Sequence, residues 1–296
     1  MRDSSPISQS PEFCHGLLEA APDAILVTDD QGSIVLVNAE TERMFGHSRD
    51  ELVGQPIEIL IPERARAAHV AERTRYESAP RVRTMGSGLE LSACRKDGSE
   101  FPVEISLSPL ALQDRRLVIA IVRDVTDRMR TEANLWFLST HDTLTGLYNR
   151  SYFQDRLARL ERGRQYPVSI LVLDVDGLKE INDTQGHAAG DALLERTARL
   201  LVGSLRPEDV IARIGGDEFA VLLASTDAAQ VTHLIERLRN AQDRTADGGQ
   251  PPTLRLSIGS ATAQKGDVLA DVLRRADQRM YEDKPTRGHR ALRARK

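Results

Sequence analysis

Val168-Ser169-Ile170-Leu171-Val172-Leu173 is an apolar run broken by one serine and closed by Asp174-Val175-Asp176. Apolar residues at both parities of so short a segment fit a strand covered on both faces, in the middle of a sheet. An aspartate at the end of such a strand is costly unless it is paired, hydrogen-bonded or bound to a cation, so Asp174 asks for a partner. Downstream, Val210 to Ile214 and Phe219 to Leu223 read as strands joined by Gly215-Gly216-Asp217-Glu218. Without Cβ atoms the two glycines would let a phosphate or a purine approach the backbone; on that stretch alone an ordinary hairpin turn accounts for the same residues. With run and hairpin in one sheet, Asp174, Asp217 and Glu218 meet at one edge, an oxygen-rich set suited to Mg²⁺ and to two-metal phosphoryl transfer.

Two further stretches sit between these, and one before them: Asp142-Thr143-Leu144-Thr145-Gly146-Leu147-Tyr148-Asn149-Arg150, Gly177-Leu178-Lys179-Glu180-Ile181-Asn182-Asp183, and Gly186-His187-Ala188-Ala189-Gly190-Asp191. Together with Gly215-Gly216-Asp217-Glu218-Phe219 they resemble a GGDEF domain, the diguanylate cyclase family. Around them the pattern predicts helices over Ser151–Gly163, Leu178–Thr184, Asp191–Leu205, Ala228–Ala241 and Val268–Asp283, and a strand over Leu254–Gly259.

The resemblance implies a palm-like domain that joins two GTP into cyclic di-GMP and two pyrophosphates. Each of two facing domains would hold one GTP, whose ribose 3′-OH attacks the α-phosphate of the other, so the working unit is a homodimer. On the same resemblance Asp174 and Asp217 are metal ligands, Val175 adds a backbone carbonyl, and Glu218 completes the set for two Mg²⁺ per site, with Mn²⁺ as the alternative. Either Asp217 or Glu218 would accept the 3′-OH proton. Asn182 and Asp191 match the guanine-reading positions, against the structural alternatives of a turn residue and a helix cap. Lys179 and Lys284 match phosphate-contacting positions and join Gly215 and Gly216 in the substrate set. Arg206-Pro207-Glu208-Asp209 stands in the register of the family's RxxD inhibitory product site, with Arg237 as a secondary contact. The ending Lys284-Pro285-Thr286-Arg287-Gly288 departs from the family's order by displacing Arg287 one residue, and Gly177-Leu178 replaces an aromatic pair.

The first half reads differently. A short helix at Phe13–Leu18 precedes strands at Ala24–Thr28 and Ser33–Val37, short helices at Ala39–Phe45 and Arg49–Leu52, and a longer one over Glu63–Tyr76. Strands at Leu89–Arg95, Phe101–Leu107 and Arg116–Val122 follow, the first two joined at Lys96-Asp97-Gly98. With Asn38-Ala39, Phe45-Gly46-His47-Ser48, Glu51-Leu52-Val53-Gly54 and a closing Arg123-Asp124-Val125-Thr126, this order resembles a PAS domain, which implies a sensor or dimerisation module. PAS cavities hold haem, flavin, small acids or nothing; for haem the candidate ligands are His69 and Met85. Between the halves, Asp127 to Thr140 has good helix formers, and Met129, Ala133 and Trp136 make a short heptad-like stripe suited to a parallel coiled coil.

The expectation is a two-domain α+β chain, mixed α/β in its second half. Residues 1–11 form a disordered N-terminus, 12–124 a PAS domain with an antiparallel sheet and short helices, 125–140 a helical connector, and 141–296 the GGDEF domain. A length of 296 residues agrees with two cores. Cys14 and Cys94 are too few for a disulfide framework or a zinc site, and no signal peptide or membrane-length apolar run is present, so a cytoplasmic location is expected. The basic residues Arg287, His289, Arg290, Arg293, Arg295 and Lys296 read as a solvated tail rather than a nucleic-acid arm. The functional expectation is a PAS-regulated, product-inhibited diguanylate cyclase; the alternative is a catalytically silent receptor that binds cyclic di-GMP through Arg206 and Asp209.

Overall fold

A computed structural model of the chain describes residues 10–78, 83–85, 91–113, 115–163, 166–247 and 254–284. Most of the expected N-terminal tail, Arg287 and the basic tail lie outside the described residues. The chain divides into two units, Met1–Ala133 and Asn134–Lys296. No helix among the described residues is long and apolar enough to cross a membrane.

The first unit is built on an antiparallel sheet. In chain order it comprises α1 (Pro11–Glu19), β1 (Ala24–Thr28), β2 (Ile34–Val37), α2 (Ala39–Phe45), α3 (Arg49–Leu52), a 3₁₀ turn at Ile57–Leu60, α4 (Glu63–Ser78), β3 (Arg83–Met85), β4 (Ser92–Cys94), β5 (Glu100–Leu112) and β6 (Arg115–Asp124). The strand order is β2-β1-β6-β5-β3, with β4 pairing β5. Asn38 caps α2: its Oδ1 accepts from the amides of Ile25 and Thr41 at 2.9 and 3.0 Å, while Nδ2 donates to the carbonyls of Leu18 and Asp23. A fully buried amide satisfied this way fixes α2 against β1 without an uncompensated polar group. Phe45 meets Phe101 edge-on at 5.6 Å, and Leu26, Ile34 and Leu52 close the core around them. Arg95 lies over the Phe101 ring and binds Asp124 at 2.7 Å; the other Asp124 oxygen accepts from the Thr126 amide, where the next helix begins.

Two expectations need correction here. The strand β3 was not foreseen, because Arg83-Thr84-Met85 is too short and polar for a recognisable alternation; its register comes from pairing with Ser106 and its neighbours on β5. Strands β5 and β6 run well past Leu107 and begin before Arg116, since they pair with each other from Val103↔Asp124 to Leu112↔Arg115. Of the strand expected at Leu89–Arg95, residues 92–94 are seen and 89–90 lie outside the described residues.

The division between the units falls within α5 (Thr126–Thr140), which has no buried residue; Met129 and Trp136 are 42% and 57% exposed.

The second unit continues with β7 (Tyr148–Asn149), α6 (Arg150–Arg162), β8 (Val168–Val175), α7 (Leu178–Gln185), α8 (His187–Ser204), β9 (Val210–Arg213), β10 (Glu218–Leu223), α9 (Ala228–Asp247), β11 (Leu256–Ala263) and α10 (Leu269–Asp283). Its five-stranded sheet has the order β11-β8-β10-β9-β7, antiparallel except for β7 beside β9. As the apolar run requires, every residue of β8 is buried. Odd positions Leu171, Leu173 and Val175 pack under α8 and α9, and even positions Val168, Ile170 and Val172 pack under α6 and α10. The period-2 alternation of a strand therefore assigns Asp174 to the α10 face.

Candidate active site

The register of β10 against β8 pairs Glu218 with Asp174. One step beyond, the Val175 amide donates to the Asp217 carbonyl at 2.9 Å, so the three carboxylates expected to converge do so at one sheet edge. Asp174 is only 4% exposed, and its Oδ2 accepts from Lys284 Nζ at 2.8 Å. Lys284 follows the last residue of α10, and that helix lies close on β11 because Gly259 has no side chain to hold it off.

The charges are unevenly compensated. Burial pushes the Asp174 carboxyl above the usual range, with the Lys284 hydrogen bond opposing it and the charge of Asp217 adding to it. Burial also raises Glu218, reinforced by Asp217, Asp174 and Asp277. The bond to Asp174 in turn raises the Lys284 ammonium. A cluster whose carboxylates are driven toward neutrality by burial and then by one another, with an ammonium resting on the most buried of them, fits a cation. Among the described residues no three such side chains are already drawn into a coordination sphere; the single cationic contact to Asp174 is made by Lys284.

The turn itself is tight for a steric rather than a dihedral reason. Neither Gly215 nor Gly216 has a positive φ. A Cβ on Gly215 would come to 2.6 Å from Glu218 Oε2, whereas one on Gly216 would meet nothing within 4 Å. The amides of Ile214 and Gly215 both donate to the Glu218 carbonyl. Arg213 then clamps the turn from outside: Nη2 donates to the Gly216 carbonyl at 2.8 Å, and Nη1 binds both oxygens of Asp142, at 3.1 and 3.2 Å. Asp142 also accepts from the Thr145 amide and hydroxyl. Burial works against its charge, but the Thr145 and Arg213 bonds prevail and hold its carboxyl below the ordinary range.

A depressed carboxylate contributes stability above its unfolded pKa of about 3.9, and that contribution is lost as pH falls through the lower folded value. Asp142→Asn is therefore expected to lower the unfolding free energy of the chain at neutral pH by about 1–2 kcal/mol. The gap from wild type should close on acidification, in urea melts taken at successive pH values.

The remaining expected residues fall into separate groups. Asn182 on α7 is half-buried with its Oδ1 unpartnered and packed beside Gly190; Asp191 is exposed in the second turn of α8. The long helix begins at His187, capped by Gly186, so a helix-cap role for Asp191 is ruled out. Lys179 is exposed on α7. Asp209 folds back to accept from the Arg206 amide at 2.9 Å; burial raises its carboxyl, opposed by that hydrogen bond and by the guanidinium groups of Arg206 and Arg237. Arg237 also donates to the Ser204 carbonyl. In the first unit, His69 Nδ1 lies 2.9 Å from Glu58 Oε1, and Arg73 Nε reaches the same oxygen. The Met85 side chain lies outside the described residues.

Three interactions carry little local sequence signal. Arg213 and Asp142 are 71 residues apart, and only the fold brings them together. Asp277, which acts on Glu218, stands seven residues before Lys284, two turns along one helix, and that spacing was a usable signal. Ser257 donates to Asp176 at 2.7 Å across the β8–β11 pair.

A profile of the family described as "Diguanylate cyclase, GGDEF domain" matches residues 139–290, and one described as "PAS fold" matches residues 12–125. Uncharacterized protein Rv1354c of Mycobacterium tuberculosis H37Rv is 44% identical over 167 residues, 54% of this chain and 26% of that protein. Probable diguanylate cyclase DgcE of Escherichia coli K12 is 30% identical over 244 residues, 79% of this chain and 21% of its own. Diguanylate cyclase DgcM of the same strain is 32% identical over 203 residues, 67% of this chain and 49% of its own. The chain thus spans less than half the length of each of these relatives.

Proposed function

The chain belongs to the GGDEF family of diguanylate cyclases, and from that premise we propose that it condenses two GTP into cyclic di-GMP and two pyrophosphates. The observation that carries this reading is the pairing of Glu218 with Asp174 beside Asp217, under the ammonium of Lys284. Asp174, Asp217, Glu218 and the Val175 carbonyl would hold two divalent cations, Mg²⁺ or Mn²⁺. Bound there, a divalent cation supplies Lewis-acid polarisation of phosphate oxygens.

The chain's own groups do the rest. Lys284 and Lys179 place positive charge against the triphosphate, and Gly216, open to solvent, leaves room beside the turn for phosphate. Asn182 and Asp191 read the guanine edge. Asp217 or Glu218 takes the proton of the attacking 3′-OH; the raised carboxyl of Glu218 brings its basicity toward that task. Since one unit holds one GTP, two copies must face each other. The exposed apolar residues of α5 support a coiled-coil pairing of connectors, through which the PAS unit sets the approach of the two sites. Arg206, Asp209 and Arg237 form the inhibitory product site, a reading supported by the Arg206–Asp209 hydrogen bond and by the charge of Arg237 acting on Asp209.

The test is incubation of the chain with GTP and MgCl₂, with and without excess EDTA, and chromatography of the products. Cyclic di-GMP and pyrophosphate formed only without chelator is the expected outcome. Intact GTP under Mg²⁺ and under Mn²⁺, with cyclic di-GMP bound, would overturn it in favour of the silent receptor.

A further inference from the structure

Helix α8 contains two glycines, and their surroundings differ sharply. A Cβ on Gly203 would meet nothing within 4 Å. A Cβ on Gly190 would overlap Asn182 Oδ1 and come to 2.9 Å from Asn182 Cγ and 3.2 Å from Leu178 Cδ1. Gly190 is buried, at an interior helix position where alanine is intrinsically the more favourable residue. What occupies the space is one end of the Asn182 carboxamide, a buried oxygen with no hydrogen-bond partner among the described residues. A buried carbonyl oxygen left without a donor carries a desolvation cost, and the space beside Gly190 is what admits it. The nearest atoms that would collide are the far end of a flexible side chain, so an added methyl group would displace the carboxamide rather than the helix backbone.

We infer that Gly190 is a positioning residue for nucleotide recognition: the room left by its missing side chain is where the Asn182 carboxamide is held against α8. This rests on the reading of Asn182 as a guanine contact. The adjacent Asp191 is fixed to the same turn of helix, so the Gly190 contact sets the placement of Asn182 relative to Asp191. Any side chain at position 190 breaks that arrangement without touching the ligand.

The experiment is a double-mutant cycle in the full chain, with Gly190→Ala, Asn182→Ala and their combination, and with Gly203→Ala as a control in the same helix. Binding of a fluorescent GTP analogue and of the matching ATP analogue is measured, together with KM and kcat for GTP and thermal melts. Gly190→Ala is expected to weaken GTP binding and raise KM about tenfold, the loss of one hydrogen bond to the base, with the larger change in KM than in kcat. It should also reduce the preference for GTP over ATP. On the Asn182→Ala background the same substitution should be silent in binding, and Gly203→Ala should bind as wild type. Equal effects of Gly190→Ala on both backgrounds, or binding unchanged from wild type, would overturn the inference. If Asn182→Ala alone leaves GTP binding intact, the guanine-contact reading fails; the melts still test the steric pairing, which requires Gly190→Ala to be less well tolerated beside Asn182 than beside its alanine replacement. Should Gly190→Ala alone fail to fold while the double variant folds, the pairing is supported; failure of both would sink it.

Discussion

Asp217→Ala should abolish cyclic di-GMP formation from GTP, by at least about a thousandfold, while the chain keeps its fold. The size follows from the position. Asp217 sits in the turn between β9 and β10, half exposed, with its backbone carbonyl accepting from the Val175 amide. Truncating the side chain leaves that backbone bond intact, and no apolar contact is lost. It does remove one of three carboxylates from the edge where Asp174 and Glu218 are paired. Transition-state charge stabilisation by a bound metal is worth several kcal/mol, and about 4 kcal/mol is a thousandfold in rate. Relief of repulsion should bring the Asp174 and Glu218 carboxyls back toward their ordinary range, because Asp217 is among the causes that raise each. Stability of the metal-free variant is thus expected to equal or exceed wild type in urea melts at neutral pH. An Asp217→Ala protein that turns GTP over at the wild-type rate would dissolve the assignment.

Gly259→Ala should do the opposite, damaging the fold first and the activity with it. Its Cβ would overlap the Ala276 carbonyl oxygen and the Met280 amide nitrogen and lie 2.8 Å from the Arg279 carbonyl carbon. These are backbone atoms of α10, so no rotamer change relieves the collision; the helix must lift from β11. Ordinary overpacking costs about 1–3 kcal/mol, and a clash with helix backbone belongs at or above the upper end. For a unit of this size about 3 kcal/mol lowers the melting temperature by roughly 6–12 °C. Lifting α10 also carries Lys284 away from Asp174. A melting temperature within a degree of wild type would show that the α10–β11 approach is less rigid than its geometry requires.

Strand β8 could be read from the chain because both of its faces are buried, which leaves a run of apolar residues that few other environments permit. The convergence of Asp174, Asp217 and Glu218 depended on the run and the hairpin being neighbours in one sheet, and β10 does pair β8 with Glu218 opposite Asp174. Other features left weaker marks. The start of α8 at His187 carries no side-chain cap, since Gly186 is in the left-handed region at φ 84° and supplies only backbone, so the helix seemed to open at Asp191. Strand β11 runs to Ala263 because it pairs with β8 down to Val168, although Ser260-Ala261-Thr262-Ala263 has no strong strand propensity of its own. The clamp of Arg213 on Asp142 and the Gly190–Asn182 packing depend on tertiary proximity, which no local pattern encodes.

The ammonium of Lys284 ties the end of α10 to the most buried acid of the three. An acid so deep would be costly without any counter-charge, and here a tethered one answers it. A divalent cation taken up there would have to displace only a single flexible arm at the end of a helix. Uptake and release would then leave the scaffold unchanged.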